Sequence, residues 1–524
     1  MCHPRTRGRW AVAVRLSIGS LLLAFAACSV GPAFTRPQAA LPAAWQAANN
    51  PHLAATAAAD ALWWKSFNDP VLDRLVDLAR RQNLPLQVSG LRIVEARAQW
   101  GIATGRQFPQ TQEITGHAAA IGPSKNTPLG PFLPRHLTEF QLGFDASWEI
   151  DFWGKYRRAV DAETAALLAS VADYDAAVVS LTAEVARTYV AVRTFEVLIA
   201  LARNNAEVQD KALKIATSRF QNGATSELDV AQSTTLLQST LATIPELQGQ
   251  LQQARNALST LLGQPPGVAD SLLAGPQEIP RAPAKVAVSV PAEMLRRRPD
   301  IHSAELNAAS QCARIGVAKA DLYPSFSLFG SIGLQAAGSG WGGHNFFSGN
   351  SFFYQAGPSV SWPFLNYGRI ENNVRVQDAR FQQLLVTYHD TVLRAAQEVE
   401  DALAGFLNAQ EAAVFEQGAV KSAQRSVELS IEQYREGATD YQRVLDAQRS
   451  LLEQQNSLAQ SSSSVATSLV ALYKALGGGW EVRTNEGFVP ETTQNEMKAR
   501  TNWGDILSQP RSPESSEPPP AGTH

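Results

Sequence analysis

Between residues 139 and 150 every second side chain is apolar: Phe140, Leu142, Phe144, Ala146, Trp148 and Ile150 alternate with Gln141, Gly143, Asp145, Ser147 and Glu149. The same period of two runs from 354 to 362, where Tyr354, Ala356, Pro358, Val360 and Trp362 alternate with Gln355, Gly357, Ser359 and Ser361. Within 325–334, Phe326, Leu328, Ile332 and Leu334 share one face, and a stretch after Pro109 alternates weakly. This pattern predicts four strands, each with one apolar and one polar face. A water-soluble sandwich would show it too. Aromatic residues at the strand ends and polar residues opposite favour lipid on one side and a watery lumen on the other. Segments 121–137 and 335–351, rich in Gly, Pro, Ser and Asn, lie between paired strands and are expected to be the turns on the outer side of such a sheet.

Elsewhere the pattern is helical. About 69 residues between Gly154 and Gly223 contain no other Gly and no Pro, and at 1.5 Å per residue they predict a helix of ~100 Å. Few compact domains need such a helix; a tube crossing a wide aqueous gap does. On the return helix Leu237, Leu241, Ile244, Leu247, Leu251, Ala254, Leu258 and Leu261 are spaced 4, 3, 3, 4, 3, 4 and 3 apart, which is coiled-coil spacing. Pro245 inside this run is expected to kink or break it. A second pair of long helices is expected over 369–436 and 441–476, the first of them less continuous because it carries Gly405 and Gly418. Shorter helices at 86–105 and 292–321 run up to Phe108-Pro109 and Tyr323-Pro324, since Pro disfavours helix in the residue before it.

These elements occur twice. Trp148 and Trp362, Gly154 and Gly368, Glu184 and Glu398, and Gly223 and Gly437 are each 214 residues apart; Leu91 and Leu306, and Gly101 and Gly316, are 215 apart. A register held over more than a hundred residues identifies a duplicated unit of about 200 residues. The expected organisation is a leader at 1–27, a segment at 28–85 that begins the region between the helical and sheet parts, one repeat at 86–290, a second at 291–480, and a largely disordered tail at 481–524. The fold class is mainly α with a membrane β part. Four strands do not close a barrel in lipid, where closure starts at eight, so three chains giving twelve strands are required.

Composition narrows the function. The chain has 524 residues, 45% of them apolar and 18% charged, with a net charge of −3. That charge argues against nucleic acid as a partner, because phosphate binding needs concentrated Lys and Arg. No run after residue 30 approaches the ~18 uninterrupted apolar residues of a spanning helix, which leaves the closed β-barrel as the route across a membrane. Arg5, Arg7 and Arg9 precede a twelve-residue apolar run at 16–27, a pattern of export rather than spanning. The run ends Phe25-Ala26-Ala27-Cys28, which resembles the lipobox of bacterial lipoproteins, with Phe25 in place of the usual Leu. The resemblance implies acylation of Cys28, and Ser29 rather than Asp after it points to the outer membrane. Cys312, in an Ala-rich helical stretch, reads as a small buried thiol. No HExxH, GxSxG or phosphate-loop motif occurs, Gly338–Gly343 precedes no helix, and His117, His136, His302, His344 and His389 lack ligand spacing. Neither an enzyme nor a metal or other cofactor is expected. Residues 500–524 are rich in Pro, Ser and Glu and are expected to be disordered.

Four motifs carry a family resemblance: the segment after the lipobox, Cys28-Ser-Val-Gly-Pro-Ala-Phe-Thr-Arg-Pro37; LRRRPDIHSAE at 295–305 with Ile315-Gly316 and Tyr323-Pro324; YREGATDYQRVLDAQR at 434–449; and LYKALGGGW at 472–480. Together they resemble the TolC-like outer membrane factors, most closely the lipoprotein branch that serves drug and metal efflux pumps. The resemblance implies a homotrimer with a twelve-stranded β-barrel and a twelve-helix periplasmic α-barrel, set in outer-membrane lipid. It implies passive export of drugs, toxic compounds or metal ions, driven by an inner-membrane proton-coupled pump through a periplasmic adaptor. A duct for protein secretion and a pore-less coiled-coil lipoprotein are the alternatives.

Two turns share a pattern, Phe220-Gln-Asn-Gly223-Ala-Thr225 and Tyr434-Arg-Glu-Gly437-Ala-Thr439. Gly supplies the left-handed residue that ends a helix, and Thr225 or Ser226, and Thr439 or Asp440, are expected to cap the next. Helix-turn-helix geometry accounts for these residues by itself; the resemblance implies that Gly223, Thr225, Gly437 and Asp440 lie where an adaptor docks. It also implies that Arg435, Asp446 and Arg449, with Asp229 of the first turn, form a periplasmic gate, although a solvated helix face explains such charges equally. Arg296, Arg297, Arg298, Asp300 and Glu305 read as structural, Asp300 capping a helix and Glu305 pairing with an Arg of the preceding loop.

Overall fold

The computed structural model describes residues 29–38, 44–47, 50, 53–54, 61–283, 286–287, 297–338, 345–481 and 487–507. The leader, Cys28, Arg296, His344 and residues 508–524 lie outside them. In chain order the helices are α1 (Pro70–Gln82), α2 (Leu84–Gly105), α3 (Lys155–Gln221), α4 (Glu227–Leu261), α5 (Pro299–Ala320), α6 (Arg369–Glu436), α7 (Tyr441–Ala475) and α8 (Glu491–Arg500). The strands are β1 (Leu53–Ala54), β2 (Thr111–Ile121), β3 (Leu137–Ile150), β4 (Val286–Ala287), β5 (Ser325–Gly338) and β6 (Phe352–Ser361). Two compact units result. One comprises Met1–Pro37, Val94–Ala169 and Glu305–Thr387; the other comprises Gln38–Ile93, Ser170–Ala304 and Tyr388–His524.

The first unit holds a four-stranded antiparallel sheet in the order β2-β3-β5-β6. The two repeats meet at its centre, where β3 pairs with β5 from Thr138↔Gly338 to Ile150↔Phe326. The outer strands β2 and β6 each pair on one side only, and Pro358 lies in one of them, where a missing donor is tolerated. The register places every apolar residue of the alternating sets on one face: Phe144 opposite Ile332, Trp148 opposite Leu328, Ile332 opposite Tyr354. Much of that face is exposed in the single chain, Ile114 and Tyr354 to more than three quarters.

Residues 29–36 run along α5 within the same unit. Val30 N–H donates to Trp153 O at 3.0 Å, and Gly31, at φ 112°, sits so close to Gly316 that a Cβ would lie 2.5 Å from the Gly316 Cα. Arg36 pairs with Glu305 at 2.7 Å. Glu305 was expected to pair with an Arg of the loop just before α5. Among the described residues its partner is Arg36, 269 residues earlier; Arg296 of that loop lies outside them.

The second unit is built around one apolar cluster, with Trp63, Leu72, Leu75, Leu258, Leu403, Phe406 and Leu472 all fully buried. An 18-residue window of α3 has mean hydropathy 1.3, enough by composition for a spanning helix, but half of it is buried within the chain; Val185, Ala186, Val190 and Val192 are core residues. Arg193, fully buried, donates to Tyr189 Oη, Glu196 Oε2 and Leu273 O, while Glu196 also accepts from Arg255 and Tyr189 donates to Asp69. A buried charge persists only with such full pairing. Arg298 donates to Asp300, to Glu398 at 2.8 Å and to Ala475 O at 2.7 Å. The Arg-Pro-Asp motif therefore holds the end of α7, beside Gly477 at φ 72°. Asp300 also accepts from Ile301 N–H at 3.0 Å, but it is the second residue of α5 and this i to i+1 bond is not that of an N-cap, which accepts from the N–H two or three residues on.

Three local expectations need correction. Gly405 and Gly418 do not interrupt α6, which runs 68 residues: each costs about 1 kcal/mol relative to Ala, less than the burial of neighbours such as Leu403 and Phe406 returns. Helix α4 likewise is not broken at Pro245; a kink there is compatible with this continuity. Pro245 is exposed, so water can take the Leu241 carbonyl that loses its donor. The stretch from 481 is not featureless, since α8 forms at Glu491–Arg500 with Met497 buried, and Phe488 packs edge-on to Tyr174. Residues 292–296 of the expected fifth helix lie outside the described residues; the described part runs Pro299–Ala320.

Candidate functional site: the two hairpin tips

Both tips end their first helix in the same way. Gly223 (φ 69°) and Gly437 (φ 80°) are left-handed. Gly223 N–H donates to Phe220 O and Ala224 N–H to Arg219 O; Gly437 N–H donates to Tyr434 O and Ala438 N–H to Gln433 O. This paired closure satisfies the last carbonyls of each helix. The starts of the return helices differ. Asp440 accepts from Arg443 N–H at 3.3 Å, as expected of an N-cap. Ser226 makes no capping bond, and Thr225 Oγ1 donates to the Asp229 side chain instead of capping.

The tips are tied together through Asp229 and Tyr434 and by Arg219, Tyr441 and Ser233, whose roles sequence reasoning did not single out. The Arg219 guanidinium lies 4.7 Å from the Tyr434 ring centre and donates to the carbonyls of Tyr434, Arg435 and Ala224. One cation thus serves the orphan carbonyls of both helix ends, where positive charge is favoured. Tyr434 Oη donates to Asp229 Oδ2 at 3.0 Å, and Tyr441 Oη to Ser233 Oγ at 2.5 Å. The two rings meet edge-on at 5.0 Å, over buried Ala212, Ala216, Leu236, Val444 and Leu445. Burial first, and then the bond to the Asp229 carboxylate, push the Tyr434 hydroxyl up to about 12. Burial also raises Tyr441.

Of the gate candidates, Asp229 is engaged within the chain by Tyr434 and Thr225. Arg435, Asp446 and Arg449 are exposed. Asp446 accepts from Gln442 on its own helix at 3.0 Å, and among the described residues none of the three forms an ion pair within the chain. At the matching positions of the first repeat, 214 residues earlier, stand Gln221, Gln232 and Thr235. The one sequence signal for Tyr434 was its place opposite Phe220 in the repeat. Arg219 gave none, because a basic residue at the end of a helix is ordinary.

The sequence compares with known proteins along nearly its whole length. A family model described as "Outer membrane efflux protein" matches residues 75–264 and 290–478. Pyoverdine export outer membrane protein OpmQ of Pseudomonas putida is 31% identical over 480 residues, spanning 88% of this chain and 96% of that protein. Nodulation protein T of Rhizobium leguminosarum bv. trifolii is 32% identical over 465 residues, with 88% and 96% covered. The solved structure of the outer-membrane channel OprN superposes with a TM-score of 0.80 at 31% identity, covering 87% of this chain and all of that one.

Proposed function

Because the chain belongs to the outer membrane efflux protein family, and so is an outer-membrane exit duct of an efflux pump, we propose that three copies close edge to edge into one pore, β6 of each pairing with β2 of the next. The open sheet carries this reading. The uncharged apolar face suits lipid, but two edges of unpaired backbone groups are untenable there, where each unsatisfied group costs several kcal/mol. Twelve strands remove the edges. In the same assembly the long helix pairs of three chains give a twelve-helix periplasmic α-barrel.

Arg435, Asp446 and Arg449, which form no ion pair within the chain among the described residues, meet partners from neighbouring copies and hold the periplasmic end shut. Exposed pairs contribute about 0.2–1 kcal/mol each, so three symmetric sets amount to a few kcal/mol, a lock that a partner can undo. Asp229 adds an intrachain latch through Tyr434. The turns at Gly223, Thr225, Gly437 and Asp440 dock a periplasmic adaptor, and an inner-membrane proton-driven pump supplies the energy, so the duct is passive. Acylated Cys28, outside the described residues, anchors the chain to outer-membrane lipid. The exported compounds are drugs, small toxic molecules or metal ions; the relative OpmQ is named for the export of pyoverdine.

Purification from outer membranes, followed by mass measurement and planar-bilayer recording, tests the proposal. A trimer that conducts is expected. A monomer, or a trimer without conductance, overturns it, the latter in favour of a pore-less coiled-coil lipoprotein.

A further inference from the structure

The two repeats build the same hairpin but leave different surfaces beside it. β2 pairs with β3, and β5 with β6, in one register shifted by 214 residues: Thr111↔Ser147 in the first hairpin, Ser325↔Ser361 in the second. Each hairpin holds its tryptophan alike, Trp148 Nε1 donating to Gln107 O at 3.2 Å and Trp362 Nε1 to Leu322 O at 3.1 Å. Phe108 and Tyr323, which follow those carbonyls, therefore occupy equivalent places. Past the end of β3 the arrangement is complete: Trp153 stacks on Tyr323 at 4.6 Å, and its Nε1 donates to Pro324 O at 2.8 Å. Tyr367 stands where Trp153 does, each just before a left-handed glycine. Yet Tyr367 is 97% exposed, and Phe108, the counterpart of the ring beneath Trp153, is 63% exposed. Tyr367 also has φ 50°, a costly conformation for an aromatic residue, which Trp153 avoids. The chain carries a ring without its platform after β6 and a platform without its ring before β2.

We infer that the seam between copies repeats the β3–β5 junction, with Tyr367 of each copy stacked on Phe108 of the next and Ser359 directly opposite His117 of the next. The inference rests on the duct reading, which brings β6 beside β2 of the next copy, and adds to it a register and an aromatic clasp. The register follows from carrying Asp145↔Ser331 and Trp148↔Leu328 through the repeat. Ser359 then falls opposite His117, and Trp362 opposite Ile114. This choice keeps the two apolar faces on one side, which a slip of one residue destroys. It also sets the Trp362 ring beside Ile114, which is 79% exposed in the single chain. A slip of two residues keeps the faces but moves one strand ~6.6 Å along the other, which carries the Tyr367 ring off its platform. Register and clasp therefore select each other.

The test is oxidative cross-linking of the full-length, membrane-extracted protein in a Cys312→Ser background. His117→Cys with Ser359→Cys should link copies to one another. Thr115→Cys or Ala119→Cys, each with Ser359→Cys, should do so about tenfold less, because diagonal neighbours lie roughly 7–8 Å apart where opposite ones lie about 5 Å apart. Linking that favours Thr115→Cys or Ala119→Cys over His117→Cys overturns the register while leaving the duct intact. The clasp is read separately, from the rate at which heated trimers dissociate in detergent. Tyr367→Ala and Phe108→Ala should each speed dissociation roughly twofold to tenfold, the double variant no more than either, and Tyr367→Trp should not speed it. Effects that multiply in the double variant overturn the clasp. A wild-type protein extracted as a monomer removes the duct reading and the seam with it.

Discussion

At the first tip Phe220 is 42% exposed; at the second, the residue 214 positions later, Tyr434, is 3% exposed. Both sit at the same place in the same turn, three residues before a left-handed glycine. Duplication has preserved the backbone device and released the side chains around it. The first tip contributes the groups that grip, Arg219 over the Tyr434 ring and Asp229 on its hydroxyl. The second contributes the aromatic that is gripped, and beside it the charges Arg435, Asp446 and Arg449 that find no ion pair within the chain among the described residues. A movement of the second hairpin away from the first must break bonds inside the chain before any between chains, so closure has two parts that variants can separate.

The largest expected contrast is between the two aromatics. Tyr434→Ala removes a buried ring and should cost about 3–5 kcal/mol of local stability, whereas exposed Phe220→Ala should cost under about 1 kcal/mol. Amide hydrogen exchange at the tips reads both, and equal losses would erase the asymmetry. Next come the unspent charges. Arg435→Ala with Asp446→Ala should raise the single-channel conductance of the isolated trimer, by removing pairs of about 0.2–1 kcal/mol each; Gln221→Ala with Gln232→Ala, at the equivalent places, should leave it unchanged. If the second pair opens the duct as well as the first, the gate is not where the charges are. Smaller and deliberately equal effects are expected of Gly223→Ala and Gly437→Ala. Both place a Cβ in the left-handed region at roughly 1–2 kcal/mol, and both have room for it, the nearest atom to the Gly437 position being an Arg219 nitrogen at 3.6 Å. Unequal losses in thermal unfolding would mean that the turns are not the shared element. The smallest effect is confined to alkaline pH. The fold favours the protonated Tyr434 hydroxyl, raised from its ordinary value near 10 to about 12. Its contribution is complete below pH ~10 and is lost as pH rises through about 12. Tyrosinate absorbance of the wild type minus that of Tyr434→Phe should show this group titrating late, and a difference curve centred near 10 would count against its burial.

Much of the architecture could be read from local pattern. Strict alternation located β3, β5 and β6 and assigned their faces correctly, because a period of two leaves no other choice once one face is apolar. The weakly alternating run after Pro109 became β2, paired through its whole length with β3; its partner, not its own pattern, makes it a strand. Gly223, Gly437 and Asp440 were legible because a left-handed residue and a helix cap are local requirements. Continuity through Gly405, Gly418 and Pro245 was not, since the propensity of one residue is a small term beside the packing of a long helix. Helix α8 was hidden by a polar composition and shows itself only through Met497 and the nearby Phe488, which are buried by the fold.

The sequence by itself determined the repeat, the long helices, the two-faced strands and, by their number, the need for further copies, because each follows from periodicity, from chain length or from the demand of backbone groups for partners. Only the tertiary structure decided which distant side chains meet: Arg219 with Tyr434, Tyr434 with Asp229, Arg36 with Glu305, Arg298 with Glu398 and the end of α7. Most of those partners lie a hundred to more than two hundred residues apart along the chain. No local pattern encodes such a choice, since it depends on where packed helices happen to bring one exposed or half-buried polar atom within about 3 Å of another.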